Sequence, residues 1–236
     1  MASHLTRIQH SIASSGFWRT VADVFLVATQ KMLAEDAEHK SFDRRHGTDT
    51  AGRVDTRDLG ISDASARETA RLYLASPPKV TRWGLLNAGV DHREFTFVDI
   101  GCGKGRVLLL ASELPFKAVH GVDISADLCR IARRNLEIYR PRVCAVFEVR
   151  DQDATTYEFP PGNLFIHIYH PFAVELIVDL LLQRVKPDGR RVLVAYLVYQ
   201  SDFASVGTEF ARIPWLTLRR EEHSVTGQYE WLFFEN

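Results

Sequence analysis

An aspartate and three glycines on alternate positions, Asp99, Gly101, Gly103 and Gly105, follow directly on the apolar run that starts at Phe95. Glycine is unfavourable in strands and helices, so such a cluster marks backbone that turns tightly or lies close to a ligand. The spacing departs from the phosphate-binding patterns. A dinucleotide fingerprint G-x-G-x-x-G has its third glycine one residue later. A P-loop requires Ser or Thr after its lysine, and neither follows Lys104. Asp99 sits where a carboxylate would oppose a pyrophosphate by like-charge repulsion and would favour a ligand carrying an ammonium group. A second acid, Asp123, closes the run Val119 to Val122 at the distance of about 20 residues expected of a ribose partner. Further on, His170-Pro171-Phe172 ends another apolar run, which brings an imidazole that titrates near neutrality together with an aromatic ring. Cys102, Cys129 and Cys144 have no C-x-x-C spacing, so neither a structural zinc site nor a disulfide framework is expected.

These residues need elements to hold them. Strand-like runs occur at Phe95 to Ile100, Ala118 to Val122, Val143 to Val149, Asn163 to Ile168 and Arg191 to Val198. Helical patterns alternate with them at Arg106 to Leu114, Ser125 to Tyr139 and Phe172 to Val185. That rhythm predicts an α/β, doubly wound, mostly parallel sheet covered on both faces. Trp215 to Arg220 and Gln228 to Phe234 bracket Thr226-Gly227 without a helix, and predict a C-terminal antiparallel hairpin that brings the sheet to seven strands. In such a sheet ligands bind at the carboxyl ends of the strands, where the glycine cluster lies. Ahead of the sheet, residues 1 to about 35 read as helical, with Trp18, Val21, Phe25, Ala28 and Met32 at helical spacing. Residues 37–65 read as a long charged loop that could close over a ligand or simply be solvated. Helical stretches are expected from Ala64 to Ala75 and from Lys79 to Ala88. The chain thus divides into an N-terminal helical segment with a lid-like loop, 1–90, and a ligand-binding domain, 91–236.

The pattern D-x-G-x-G-x-G after a first strand, with a spaced acid and a terminal hairpin, resembles the class I (Rossmann-like) S-adenosylmethionine-dependent methyltransferases over Phe95 to Phe234. The resemblance implies that S-adenosyl-L-methionine is the cofactor, with Asp99, Gly101, Gly103 and Gly105 around its methionine part. It implies that Asp123, followed by Ile124, pairs with the ribose, and that Asp153-Ala154 lies near the adenine, with Asp151 as a competitor. Tyr73 and Ser76-Pro77-Pro78 resemble an element that precedes the first strand in some of these enzymes and touches the methionine carboxylate or frames the acceptor channel. His170-Pro171-Phe172 occupies the place where members acting on nitrogen carry Asn or Asp, then proline and an aromatic residue. His170, Tyr169 and Phe172 are therefore the catalytic candidates. His170 could equally end its strand on a backbone hydrogen bond.

The expected activity is in-line transfer of a methyl group to a nitrogen or oxygen acceptor, in a protein side chain or a small molecule. A methyltransferase-like scaffold without turnover is the second reading. A nicotinamide-dependent oxidoreductase is the third, disfavoured by Asp99 and the glycine spacing. The net charge of -1 offers no general attraction for nucleic acid or anionic membrane, and no basic stripe with interleaved aromatics stands out. No apolar run reaches membrane-spanning length. A cytoplasmic setting is expected, although residues 1–22 hold Arg7 and Arg19 without any Asp or Glu, a weak targeting signature.

Overall fold

The computed structural model describes residues 37–61, 67, 68, 70–223 and 228–236. The expected N-terminal helix and the turn at Thr226-Gly227 lie outside them. Residues 37–46 form helix α1. The two-residue strands β1 (Arg53–Val54) and β2 (Tyr73–Leu74) pair antiparallel, and α2 (Pro78–Leu86) follows. Then come β3 (Phe95–Ile100), α3 (Arg106–Ser112), β4 (Val119–Asp123), α4 (Ala126–Ile138), β5 (Phe147–Asp151), β6 (Asn163–Ile168), α5 (Val174–Arg184) and β7 (Val192–Tyr199). Helix α6 (Phe203–Phe210) leads into β8 (Thr217–His223) and β9 (Tyr229–Glu235).

The seven long strands form one sheet in the order β5-β4-β3-β6-β7-β9-β8. All neighbours are parallel except β9, which is antiparallel to both β7 and β8. The expected hairpin thus folds back so that the last strand of the chain enters the sheet between β7 and β8. Side chains alternate across the sheet with a period of two. Phe95 and Phe97 pack under α2, α3 and α4, while Val98 and Ile100 pack on the face covered by α5 and α6. Along β7 the same rule sends Leu193, Ala195 and Leu197 to the first face and Val192, Val194, Tyr196 and Val198 to the second. Every residue of β3 is buried, as expected of a central strand in a sheet covered on both sides.

Three sequence expectations change. The loop expected over 37–65 begins as helix α1. Its next residues then fold around the Asp43 carboxylate, which accepts hydrogen bonds from Thr48 Oγ1 at 2.7 Å, Thr50 Oγ1 at 2.6 Å and the backbone N–H groups of Thr50 and Ala51. Polar residues that read as a solvated or lid-like loop are here a hydrogen-bonded turn in which Thr50 is fully inaccessible, while Gly47 and Asp49 stay exposed. The helix expected from Ala64 to Ala75 is not present over residues 70–75: Ala70 bridges Phe172, and β2 pairs with β1. Tertiary pairing overrides local helical preference there. The third strand begins at Phe147 rather than Val143, because the N–H groups of Val143 and Cys144 bond the Ser112 carbonyl at the end of α3.

Helix α2 is fitted to the sheet with little tolerance. A Cβ at Gly84 would lie 2.1 Å from the indole of Trp231, which is fully buried on β9 and donates from Nε1 to the Val80 carbonyl. Alanine at position 84 gains about 1 kcal/mol of helix propensity, but overpacking a filled site costs about 1–3 kcal/mol, here at its upper end because three indole atoms are overlapped. Gly84→Ala is therefore expected to lower the urea midpoint at unchanged m-value. A midpoint at or above wild type contradicts this packing.

Candidate functional site

The turn from β3 into α3 is held by its own backbone. Gly101 N–H and Cys102 N–H both bond the Val122 carbonyl, at 2.8 and 3.1 Å, and Gly105 N–H bonds the Cys102 carbonyl. Gly103 N–H donates to Asp123 Oδ2 at 2.8 Å, and Ser125 N–H donates to the other oxygen at 2.9 Å. Asp123 thus ties the glycine turn to the end of β4, and its oxygens retain lone pairs for a further donor. Burial pushes its carboxyl upward, the two amide bonds pull it down, and the charge of Asp99 adds to the upward push.

The glycines serve close approach. Gly101 has φ of 75°, and a Cβ there would lie 2.4 Å from Pro171. Gly103 has φ of 52°, and a Cβ there would lie 2.3 Å from the ring of Tyr73. Left-handed backbone and absent side chains let Pro171 and Tyr73 sit directly on the turn. Gly105 precedes α3 and abuts Ala132 of α4.

Above this turn lies a cavity of about 890 Å³. Of the sequence candidates, Tyr73, Asp99, Gly101, Asp123, Ile124, Asp153, Ala154, Tyr169, His170 and Phe172 line it; Gly103 and Gly105 do not. Asp153 caps the short turn Ala154–Thr156, accepting from Thr155 N–H at 2.8 Å. Asp151, its competitor, is outside the lining and is held by Arg133 at 2.6 Å, which lowers its carboxyl below the ordinary range.

The far end of the cavity is built by the loop after β6 and the end of β7. Arg71 N–H bonds the Pro171 carbonyl, so the chain before β2 passes across that loop and closes it. His170 takes φ of 45°, the left-handed region that His, Asn and Asp tolerate best among residues with a side chain. Its ring stacks on Tyr199 at 5.7 Å, and Nε2 accepts a long bond from Tyr199 N–H at 3.4 Å. Asp202 stands 3.9 Å from the same nitrogen. Burial pushes the imidazole below its ordinary value and outweighs the pull of Asp202, so His170 is neutral at neutral pH. Tyr169 donates to Tyr199 Oη at 3.0 Å, and burial raises its phenol well above the ordinary range.

Two groups were missed by sequence reasoning. His167 lines the cavity on the same side of the sheet as Asp99, and its Nδ1 is 2.7 Å from Asp99 Oδ1. The pair depends on the parallel register of β3 and β6, which sets these residues opposite each other and which the sequence alone does not give. Arg106, only 2% exposed, donates from Nε to Thr50 Oγ1 at 2.7 Å and stands 3.6 Å from Asp43, so it fastens the α1 segment to α3. Burial alone would push Asp43 up, but its hydrogen bonds from Thr50, Thr48 and Ala51 hold it below the usual range, as a charged partner for Arg106.

The cavity suits a ligand with both charged and hydroxyl groups. Ser76 Oγ, Arg106 Nη2 and His167 Nε2, all on lining residues, are buried without a hydrogen-bond partner among the described residues. Such orphaned polar atoms are costly unless a ligand satisfies them. Acids at Asp99, Asp123 and Asp153 line the same wall. S-adenosylmethionine, with its ammonium, carboxylate and ribose, fits this donor and acceptor set. No group of three or more metal-ligating side chains occurs among the described residues, and no helix among them is long and apolar enough to cross a membrane.

Residues 97–193 match the family described as a methyltransferase domain. A stretch of 141 residues is 30% identical to the ribosomal protein L11 methyltransferase of Burkholderia thailandensis, covering 54% of this chain and 44% of that protein. The protein of the same name from Cupriavidus metallidurans is 30% identical over 134 residues, 56% of this chain and 40% of that protein. The chain thus spans less than half the length of these relatives. Among solved structures, a SAM-dependent methyltransferase from Aquifex aeolicus superposes with a TM-score of 0.52 at 14% identity, over 77% of this chain and 98% of that one. An RNA methyltransferase from Salinibacter ruber in complex with S-adenosyl-L-homocysteine gives 0.51 at 18% identity, over 69% and 93%. At these identities the structural likeness is one of fold. Over residues 97–193 this chain is thus similar to the methyltransferase domain family, and its strand order and glycine turn agree with that likeness.

Proposed function

We propose that this chain transfers a methyl group from S-adenosylmethionine to a nitrogen or oxygen acceptor. One observation carries the reading: a single cavity is lined both by the Asp123, Asp153 and Ala154 wall and by the His170, Pro171 and Phe172 loop. Asp123 and Ile124 would hold the ribose, Asp153 and Ala154 the adenine side, and Asp99 with Gly101 the amino-acid end. Tyr73 would cover the glycine turn, with Gly103 and Gly105 shaping it from behind. The cofactor supplies an activated methyl group on sulfur; the protein holds the acceptor in line with it and excludes water. His170, neutral and half-buried, with Tyr169 and Phe172 beside it, would orient an acceptor nitrogen or oxygen at the loop end. The names of the curated relatives favour a protein side chain as acceptor, with a small molecule as the alternative. Residues before 90 would complete the site, since Tyr73 and Ser76 line the cavity from that side. The long bond from Tyr199 N–H to His170 favours a second, purely structural reading of that histidine.

Binding is the first test. At a hundredfold excess over Kd, S-adenosylhomocysteine should stabilise the protein by about 2.7 kcal/mol, a rise in Tm of about 5–10 °C for a chain of this size. Asp123→Ala removes the ribose acceptor and the Gly103 anchor together, and should abolish that rise. An unshifted wild type, or a fully shifted variant, would count against the site.

The pH dependence separates the readings of His170. Its folded value is depressed, so the neutral form persists below the ordinary histidine value of about 6.5. The rate of methyl transfer, once an acceptor is known, should hold its plateau through that pH and fall only below it. His170→Leu, which can neither donate nor accept, should lower kcat about tenfold or more if the imidazole orients the acceptor. Unchanged kcat in that variant identifies the structural role. The same shift affects stability: the contribution of neutral His170 is complete above the ordinary value and is lost as pH falls through the folded one. His170→Asn should therefore lose less stability than wild type between neutral and mildly acidic pH in urea titrations.

A further inference from the structure

The cavity floor contains an acid–imidazole pair whose two members come from adjacent central strands. The parallel register of β3 and β6 sets Asp99 opposite His167, and Nδ1 of His167 lies 2.7 Å from Asp99 Oδ1. Both side chains are almost completely inaccessible, at 0% and 3% exposure. The His167 ring is fixed by Trp231 of β9 at 5.6 Å and by Phe97 of β3 at 6.2 Å. Among the described residues, His167 is the one hydrogen-bonding partner of Asp99.

We propose that His167 is a positioning residue for the cationic end of the bound ligand: its Nδ1–H bond orients the Asp99 carboxylate and favours its ionised form. The remaining lone pairs of that carboxylate then face an α-ammonium group in the cavity. This rests on the cofactor reading above and assigns a role to a residue outside the glycine turn.

The physical need is specific. A carboxylate taken out of water tends to bind a proton, and a protonated carboxyl offers no charge to an ammonium. Burial does push Asp99 upward, and the charge and hydrogen bond of His167 are the opposing influences. The other titratable groups nearby give Asp99 little help. Asp123 at the end of β4 and the Cys102 thiol in the glycine turn both feel its charge, and Asp123 repels it. Tyr73 of β2 and Tyr169 after β6 line the same cavity as neutral phenols, and Arg106 of α3 directs its Nε to Thr50 and its charge to Asp43. Trp231 and Phe97 carry no charge. His167 is therefore the group that sets both the rotamer and the ionisation of Asp99.

The test compares two ligands that differ in the amino-acid end. S-adenosylhomocysteine carries the ammonium; 5′-methylthioadenosine has the same nucleoside and sulfur without it. Isothermal titration of wild type, His167→Leu and His167→Asn is run with both, at several pH values. His167→Leu should weaken S-adenosylhomocysteine about tenfold or more near neutral pH, with 5′-methylthioadenosine unchanged. The deficit should shrink as pH rises and Asp99 ionises unaided. His167→Asn, whose amide can donate where Nδ1 does, should retain most of the affinity. Equal losses for both ligands in His167→Leu would show a merely structural role, and no loss for either would show that Asp99 needs no partner; both overturn the proposal. A wild type that binds neither ligand overturns the cofactor reading itself, which keeps the two failures distinct.

Discussion

Everything at this site depends on how closely two side chains approach the backbone of one turn. Pro171 and Tyr73 lie where the Cβ atoms of Gly101 and Gly103 would be. A larger residue at Gly101 would displace the loop after β6 and one at Gly103 would displace β2, and both segments line the cavity. They are also joined to each other, through Arg71 N–H and the Pro171 carbonyl and through the bridge between Ala70 and Phe172. The glycine turn is thus the surface on which the rest of the site is assembled.

Buried and half-buried polar groups then fix that assembly in one arrangement, with Asp49 at its exposed edge. Asp123 binds the turn to β4, and Arg106 binds the α1 segment to α3 through Thr50 and Asp43. Lys104 reaches Asp49, while Asn135 of α4 bonds both the Asp49 and Lys104 carbonyls. Tyr73 Oη donates to the Thr50 carbonyl at 2.6 Å, so the residue covering the glycines is itself anchored to the α1 segment. Such networks gain from low local polarity when satisfied and cost heavily when broken. Of the five buried polar side-chain atoms left unsatisfied among the described residues, those on Ser76, Arg106 and His167 belong to residues of the cavity wall, where a polar ligand can complete them; those on Thr81 and Arg220 do not.

The sheet was legible because central strands and amphipathic helices carry their periods openly. Phe95–Ile100 and Asn163–Ile168 are read to the residue, since nearly continuous burial makes them predominantly apolar. The acids at the strand ends were legible for a related reason: a charge closing an apolar run has few structural explanations. What sequence could not show were contacts between distant segments. Asp43, Thr48 and Thr50 look like loop residues until Arg106 is seen to need them. The 70–75 stretch looks helical until it is paired with Phe172 and β1. His167 stands unmarked in its strand, and only the neighbourhood of β3 and β6 reveals its partner. His170 is half legible: its place in the loop follows from the sequence, whereas its left-handed backbone and its stacking on Tyr199 do not.

The most direct measurement is a crystal structure of this protein with S-adenosylhomocysteine. The account predicts ribose hydroxyls within hydrogen-bonding distance of Asp123, the ammonium against Asp99, and the sulfur directed toward His170 and Phe172. A ligand bound outside this cavity, or reversed within it with its amino-acid end at Asp153, would contradict the account.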